Sequence, residues 1–222
     1  MRTAARLERA ELLYGRLLAS AAADAEPVPA RVRIAGGAAH PLPLGRWLAP
    51  VDAADRALLA HATGPVLDIG CGPGRHVAAL VAAGVDALGL DLSPVAVRLA
   101  RARGAEAILR SVFADVPGSG RWRTALLLDG NIGIGGAPVA LLERARGLVA
   151  RGGRVLVETA PPGTATRCER VRLEAPGAVS VWFGWATVGA DGIGPLAAAA
   201  GLRLQATFAA GERWFSELER PR

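Results

Sequence analysis

An aspartate and three glycines, Asp68, Gly70, Gly72 and Gly74, alternate through the segment VLDIGCGPGRH. A second carboxylate, Asp91, ends the apolar run DALGLD. Glycine accepts positive φ and lets another backbone or a ligand approach where a Cβ would obstruct it. A glycine turn that leads from a strand into a helix offers backbone N–H groups and the positive end of the helix dipole to an anionic ligand group. An acidic side chain at the end of the following strand can accept both hydroxyls of a ribose. The chemistry these residues can do is therefore the binding of a nucleoside-containing ligand. The spacing differs from the G-x-G-x-x-G of dinucleotide sites, because Arg75 stands where the third glycine would be. A nicotinamide-dependent oxidoreductase is the competing reading.

These residues need flanking strands and helices to hold them, and the chain supplies the pattern. PVLDIG, a helix over about 74–83, DALGLD and a helix over 94–103 make two strand–helix units, the second helix opened by Ser93 as N-cap and Pro94 at its first position. A third strand is expected at 105–109, a fourth in TALLLDG at 124–130, a helix over 138–150 ending at Arg151-Gly152-Gly153, and a fifth strand in RVLVETA. Short apolar strands alternating with helices specify a parallel sheet covered on both faces. Farther on, VSVWFGWATV reads as β-rich, GIGPLAAAAG as a helix, and LRLQATFAA and RWFSEL as final strands, one of them an antiparallel strand at the sheet edge.

Ahead of this domain, residues 2–23 carry Leu7, Leu12, Leu13, Leu17 and Leu18 at helical spacing. Pro27 and Pro29 break the chain, an extended piece follows around Val32 and Ile34, PLPLGRWLAP reads as an ordered loop, and Asp52 is placed to cap a helix reaching Ala62. The expected organisation is an N-terminal helical extension or lid over 1–62 and a ligand-binding domain over 63–222.

Composition narrows the partners. With 51% hydrophobic and 21% charged residues the chain is globular. Net charge is +6, but every basic residue is an arginine, and the arginines are scattered rather than interleaved with aromatics; this argues against nucleic acid as partner. No apolar run spans a bilayer, and Arg2, Arg6, Glu8, Arg9, Glu11 and Arg16 interrupt what would otherwise resemble a secretory signal. Cys71 and Cys168 make neither a disulfide framework nor a metal set, so the reading is a cytoplasmic protein with no metal.

With VLDIGCGPGRH, LGLDLS, LLLDGN and LVARGGRVLVE in place, residues 64–160 resemble the class I S-adenosylmethionine-dependent methyltransferases, and in particular small actinobacterial methyltransferase-domain proteins of the GCGPGRH type. The resemblance implies an α/β Rossmann-like fold with a seven-stranded, mostly parallel sheet, an antiparallel C-terminal edge strand, and S-adenosylmethionine bound at the strand C-termini. Carried over by position, Asp68 and the backbone of Gly70, Cys71, Gly72 and Gly74 hold the methionine portion, and Arg75 assists with its carboxylate. Asp91 binds the ribose, Leu92 flanks the adenine, and Asp129 and Gly130 line the methyl region. Many relatives place an acid against the adenine amino group; here that position is Val112, between Ser111 and Phe113, with Asp115 as the alternative if the alignment is shifted.

The expected reaction is methyl transfer to an O or N atom of a small molecule. Positioning supplies most of the rate in such a reaction, so no triad or metal set need appear, and no catalytic residue is assigned. The N-terminal helix and the C-terminal tail are expected to form the acceptor pocket, with Asn131, His40, Trp182 and Trp185 as its candidate residues. His61 and His76 read as structural. A nucleic-acid methyltransferase and a non-catalytic cofactor-binding protein are the further alternatives, and the oligomeric state is left open.

Overall fold

A computed structural model of the chain describes residues 5–23 and 28–222. The first three residues of the expected N-terminal helix and Pro27 lie outside the described residues. In chain order the elements begin with strand β1 (Arg6–Glu8), helix α1 (Ala10–Ala23), β2 (Arg31–Ile34), β3 (Ala39–Pro41), α2 (Leu44–Leu48) and α3 (Ala53–Leu59). The middle of the chain forms β4 (Val66–Ile69), α4 (Arg75–Ala82), β5 (Ala87–Asp91), α5 (Pro94–Ala102), β6 (Ala107–Leu109), β7 (Trp122–Leu127), α6 (Pro138–Leu148) and β8 (Val149–Thr159). Then come β9 (Arg167–Ala175), β10 (Ala178–Ser180), β11 (Phe183–Thr187), α7 (Ile193–Ala199), β12 (Arg203–Ala210) and β13 (Arg213–Glu219).

The main sheet has seven strands in the order β12-β13-β8-β7-β4-β5-β6. The pairs from β8 through β6 are parallel, while β13 runs antiparallel to both neighbours. The α/β fold expected from the sequence is therefore present, with one correction. The antiparallel strand is the last of the chain but lies inside the sheet, and β12 forms the edge. The reason is in the side chains: β13 buries Phe215 and Leu218, which need cover on both flanks, whereas β12 is exposed along most of its length.

Alternation along the strands feeds two apolar layers. Leu67, Ala125, Leu127, Val155 and Val157 pack with α6 and α7, while Val66, Leu126, Leu128 and Leu156 pack toward α3, α4 and α5. Both helix caps read from the sequence form. Ser93 Oγ accepts the N–H of Ala96, and Asp52 and Asp55 make a reciprocal capping box at the start of α3.

A second sheet lies over the C-terminal end of the first, in the order β1-β10-β9-β2-β3 with β11 also on β9. It draws β1, β2 and β3 from the N-terminal region and β9, β10 and β11 from the segment after β8, so the expected division at residue 62 runs through this layer and the N-terminal region is not simply helical. Residues 6–8, expected to be helical, instead pair in parallel with β10, a tertiary pairing that overrides local propensity. Leu7 and Leu12 are consequently exposed, while Leu13, Leu17 and Leu18 face the core beneath this roof. Two other expectations shift. PLPLGRWLAP contains α2 rather than being all loop, and Arg151-Gly152-Gly153 belongs to β8.

Helix α1 lies close against the start of α5. A Cβ on Gly15 would sit 2.5 Å from Ser93 Oγ and 3.0 Å from Val95 Cγ2. The Ser93 hydroxyl is buried and committed as a cap, so it cannot move aside. Gly15→Ala is expected to destabilise the fold by about 1–3 kcal/mol through overpacking, measured by urea denaturation; an unchanged midpoint would show that α1 is free to lift.

Candidate active site

Between the main sheet and the roof lies a cavity of about 660 Å³, within the ordinary range of small-molecule sites, roughly 300–1,000 Å³. Its floor is the glycine turn. Gly70, Gly72 and Gly74 all have positive φ, which explains the glycine at each position. Gly74 does not line the cavity; a Cβ there would sit 2.6 Å from that of Ala100, so its second role is the close packing of α4 on α5.

The turn does not present a row of free N–H groups, contrary to the sequence reading. Gly70 and Cys71 donate to the Leu90 carbonyl at 2.8 and 2.9 Å, Gly74 donates to the Cys71 carbonyl, and Gly72 donates to Asp91 Oδ2 at 2.9 Å. Gly70 and Gly72 instead offer close backbone approach, and the Gly70 carbonyl faces Asn131, whose Nδ2 donates to it and to the Ile69 carbonyl, both at 2.9 Å. Asp91 also accepts the Ser93 N–H at 2.7 Å. Burial pushes its carboxyl pKa up, opposed by those backbone N–H bonds. A carboxylate has about four lone-pair sites, so Asp91 keeps capacity on the cavity side. Cys71 is a buried space-filler whose thiol pKa is pushed up by burial and then by Asp68 and Asp91.

Of the residues the sequence assigned to the cofactor, Gly70, Cys71, Gly72, Arg75, Asp91, Leu92, Ser111, Val112, Phe113 and Asp129 line the cavity. Asp68, Gly74 and Gly130 stand behind it. Asp68 is buried beside His76, and Gly130 takes φ +81 to open the short 3₁₀ turn Asn131–Gly136. The 111–113 segment is pinned from behind, since Arg144 donates to the carbonyls of Val112 and Ala114. Asp115 is not part of the wall.

Arg75 departs from its expected role as a free carboxylate ligand. Its Nε donates to Asp55 Oδ2 and its Nη1 to Asp129 Oδ2, while Nη2 donates to Asp55 Oδ1 and Asp129 Oδ1, at 2.7–3.1 Å. It is the hub of a charge network at the strand ends. Arg213 donates twice to Glu158 and once to Asp55, Arg46 Nη2 lies 3.3 Å from Asp129 Oδ1, and Glu158 also accepts the Asp129 N–H. That last bond holds Asp129 at φ 54, the one non-glycine with positive φ among the described residues. His76 joins through Nε2, 3.2 Å from Asp55 Oδ1, with Nδ1 3.7 Å from Asp68 Oδ2.

The roof and α1 supply the opposite wall: Tyr14, Val32, Leu42, Trp47, Val171, Leu173, Phe183 and Trp185, with Glu11 at one end. Tyr14 reaches over the floor. Its hydroxyl would be 3.0 Å from a Cβ on Gly72, and its ring meets Trp47 edge-on at 5.8 Å. Burial, then Asp91, push its phenol pKa well up. Among the acceptor candidates, Asn131 and Trp185 line the cavity, whereas Trp182 stacks under Arg172 outside it and His40 is exposed on β3. His61 stacks on Phe208. This wall therefore comes from α1, α2, β2, β9 and β11; of the C-terminal tail, β11 contributes to it while β12 and β13 do not.

The sequence reading missed Glu11, Tyr14, Trp47, Arg110 and the roof strand β9. Tyr14, the only tyrosine, interrupts the apolar face of α1. In β9, Val171, Leu173 and Ala175 alternate with charged residues, which is a strand signal.

Residues 66–119 match a family model described as a methyltransferase domain. No curated protein sequence matches the chain. Among solved structures, a SAM-dependent methyltransferase from Bacteroides fragilis in complex with S-adenosyl-L-homocysteine superposes with a TM-score of 0.81 at 20% identity, over 98% of this chain and 99% of that one. The CcbJ methyltransferase from Streptomyces caelestis gives 0.64 at 17% identity, over 95% and 98%. The 1,6-didemethyltoxoflavin-N1-methyltransferase from Burkholderia thailandensis gives 0.58 at 19%, over 76% and 77%. The fold is that of the S-adenosylmethionine-dependent methyltransferases.

The charge network makes stability depend on pH. Burial opposes a charge on His76, but Asp55 and Asp68 outweigh it and raise the pKa from 6.5 to about 9. A raised histidine pKa stabilises fully below the unfolded value, and that contribution is lost as pH rises toward the folded one. Unfolding free energy is expected to fall by on the order of 2 kcal/mol between about pH 6.5 and 8.5, and His76→Gln should flatten that slope. Asp55→Ala, which leaves Arg75, Arg213 and His76 without their shared carboxylate, is expected to cost about 3–5 kcal/mol. Both are read by urea denaturation.

Proposed function

We infer that this protein is an enzyme that binds S-adenosylmethionine on the floor of the cavity and transfers its methyl group to an O or N atom of a small molecule held under the roof. The observation that carries the reading is the pairing of Asp91 and the Gly70–Gly72 turn on one wall with an apolar, aromatic wall facing them. The residues present fit the cofactor. Asp91 keeps acceptor capacity for ribose hydroxyls, Gly70 and Gly72 leave room where a Cβ would meet Asn131 or Tyr14, and the carbonyl of Gly70, which accepts one N–H from Asn131, keeps a second lone pair for an ammonium group. Leu92, Ser111, Val112 and Phe113 would flank the adenine, and Asp129 the methionine end. Arg75 then acts as a brace, with four of its N–H groups already committed.

The cofactor brings an electrophilic methyl group on a sulfonium, so the protein has to orient the acceptor and exclude water. None of the three histidines lines the cavity, and Tyr14 stays protonated at neutral pH, so neither is a general base there. This suits a nitrogen acceptor, which attacks with its own lone pair and sheds a proton afterwards. The toxoflavin N1-methyltransferase and a sugar N-methyltransferase, KedS8 from Streptoalloteichus, share the fold and support this reading. Two free cysteines, one of them exposed, accord with a reducing, cytoplasmic setting, and the lysine-free composition accords with a GC-rich, actinobacterial source.

Calorimetric titration should show S-adenosylhomocysteine binding and no displacement by NADH. Asp91→Ala is expected to weaken binding by about 10–100-fold, and Asp91→Asn by less. Unchanged affinity in Asp91→Ala would remove the ribose assignment.

A further inference from the structure

The charges around the cavity are unevenly divided. On the floor, four of the N–H groups of Arg75 are committed to Asp55 and Asp129, and Asp91 already accepts two backbone N–H groups. Arg110 stands on the side of the 111–113 segment, away from α1. Among the described residues, the roof and α1 contribute no cation to the lining. Their surface is Val32, Leu42, Trp47, Leu173, Phe183 and Trp185, and their single charged side chain is the Glu11 carboxylate, whose partner Arg9 is largely solvent-exposed and not part of the wall. The negative end of this pair is therefore the one on the cavity wall, with its cation on the solvent side. An anion brought into this half would lose its hydration, meet no fixed cation, and face a carboxylate.

We propose that the acceptor half of the cavity takes an uncharged, predominantly apolar ring-bearing molecule and rejects anionic ones, with Glu11 as the specificity-determining residue. The proposal rests on the cofactor reading above and deepens it. Phe183 and Trp185 meet edge-on with ring centroids 6.2 Å apart, and with Trp47 they offer aromatic surface for a planar acceptor. Tyr14, held protonated, gives such a molecule a hydroxyl to bond to above the glycine turn.

The test uses two dyes of the same ring system, uncharged N-phenyl-1-naphthylamine and its sulfonated counterpart 8-anilino-1-naphthalenesulfonate, titrated by fluorescence into the full chain saturated with S-adenosylhomocysteine. The uncharged dye should bind at least about tenfold more tightly. Because it is also the more apolar of the two, the substitutions decide the matter. Glu11→Arg should tighten the sulfonate by about tenfold and barely alter the amine, and Glu11→Gln should lie between. Phe183→Asp should weaken the amine by about tenfold while S-adenosylhomocysteine affinity, the check that each variant folds, is retained. Equal or tighter binding of the sulfonate to the loaded wild-type chain overturns the proposal, as does a sulfonate affinity indifferent to Glu11→Arg. Failure of the wild-type chain to bind S-adenosylhomocysteine overturns the cofactor reading instead, and the proposal with it.

Discussion

Charges removed from water must be matched where they stand, and at the C-terminal edge of the main sheet this requirement organises the molecule. Asp55, Asp68, Asp129 and Glu158 meet Arg46, Arg75, Arg213 and His76, so the formal charges cancel when the imidazole is protonated. The participants come from α2, α3, α4, β4, β8, β13 and the end of β7. The elements that flank the glycine turn, β5 excepted, are thus tied to one set of ion pairs. The network also explains two local oddities: an arginine beside a binding site that is not free to bind, and an aspartate held with positive φ.

Above that polar base the cavity changes character. Its floor offers backbone atoms and two carboxylates, Asp91 and Asp129, which suits a ligand rich in polar groups. Its roof works through rings and branched aliphatic side chains, which suits a ligand with little to hydrogen-bond. The two halves come from different sheets, so the polar and the apolar surface of the cavity can vary independently.

The legible parts of the sequence were those set by short-range rules. Strand–turn–helix order around Gly70–Gly74, the Ser93 and Asp52 caps, and Asp91 at a strand end are all fixed by neighbours within a few residues. The partners of Arg75 could not be read this way, because Asp55 and Asp129 stand 20 and 54 positions away and nothing local marks the pairing. The same holds for β1, whose strand character comes from β10 rather than from its own three residues. Composition misdirected at one histidine: His40, an acceptor candidate by type, is exposed on β3, whereas His76 has the structural place expected of it, buried in the ion network.

The roof carries one more consequence. Strand β2 joins β9 across 141 positions, as the Arg33–Glu174 ion pair shows, so this pairing closes most of the chain into a loop. Closing a loop of that length costs roughly 4 kcal/mol of chain entropy before any contact repays it. Pairings inside the main sheet, such as Val66 with Thr124 and Arg154 with Glu219, close shorter loops and each costs somewhat less. The roof pairings, β2 with β9 and β1 with β10, are thus the least local among the described strands. The roof side of the cavity is accordingly the part that carries the largest closure cost, and contacts with a molecule bound beneath it would help to offset that cost.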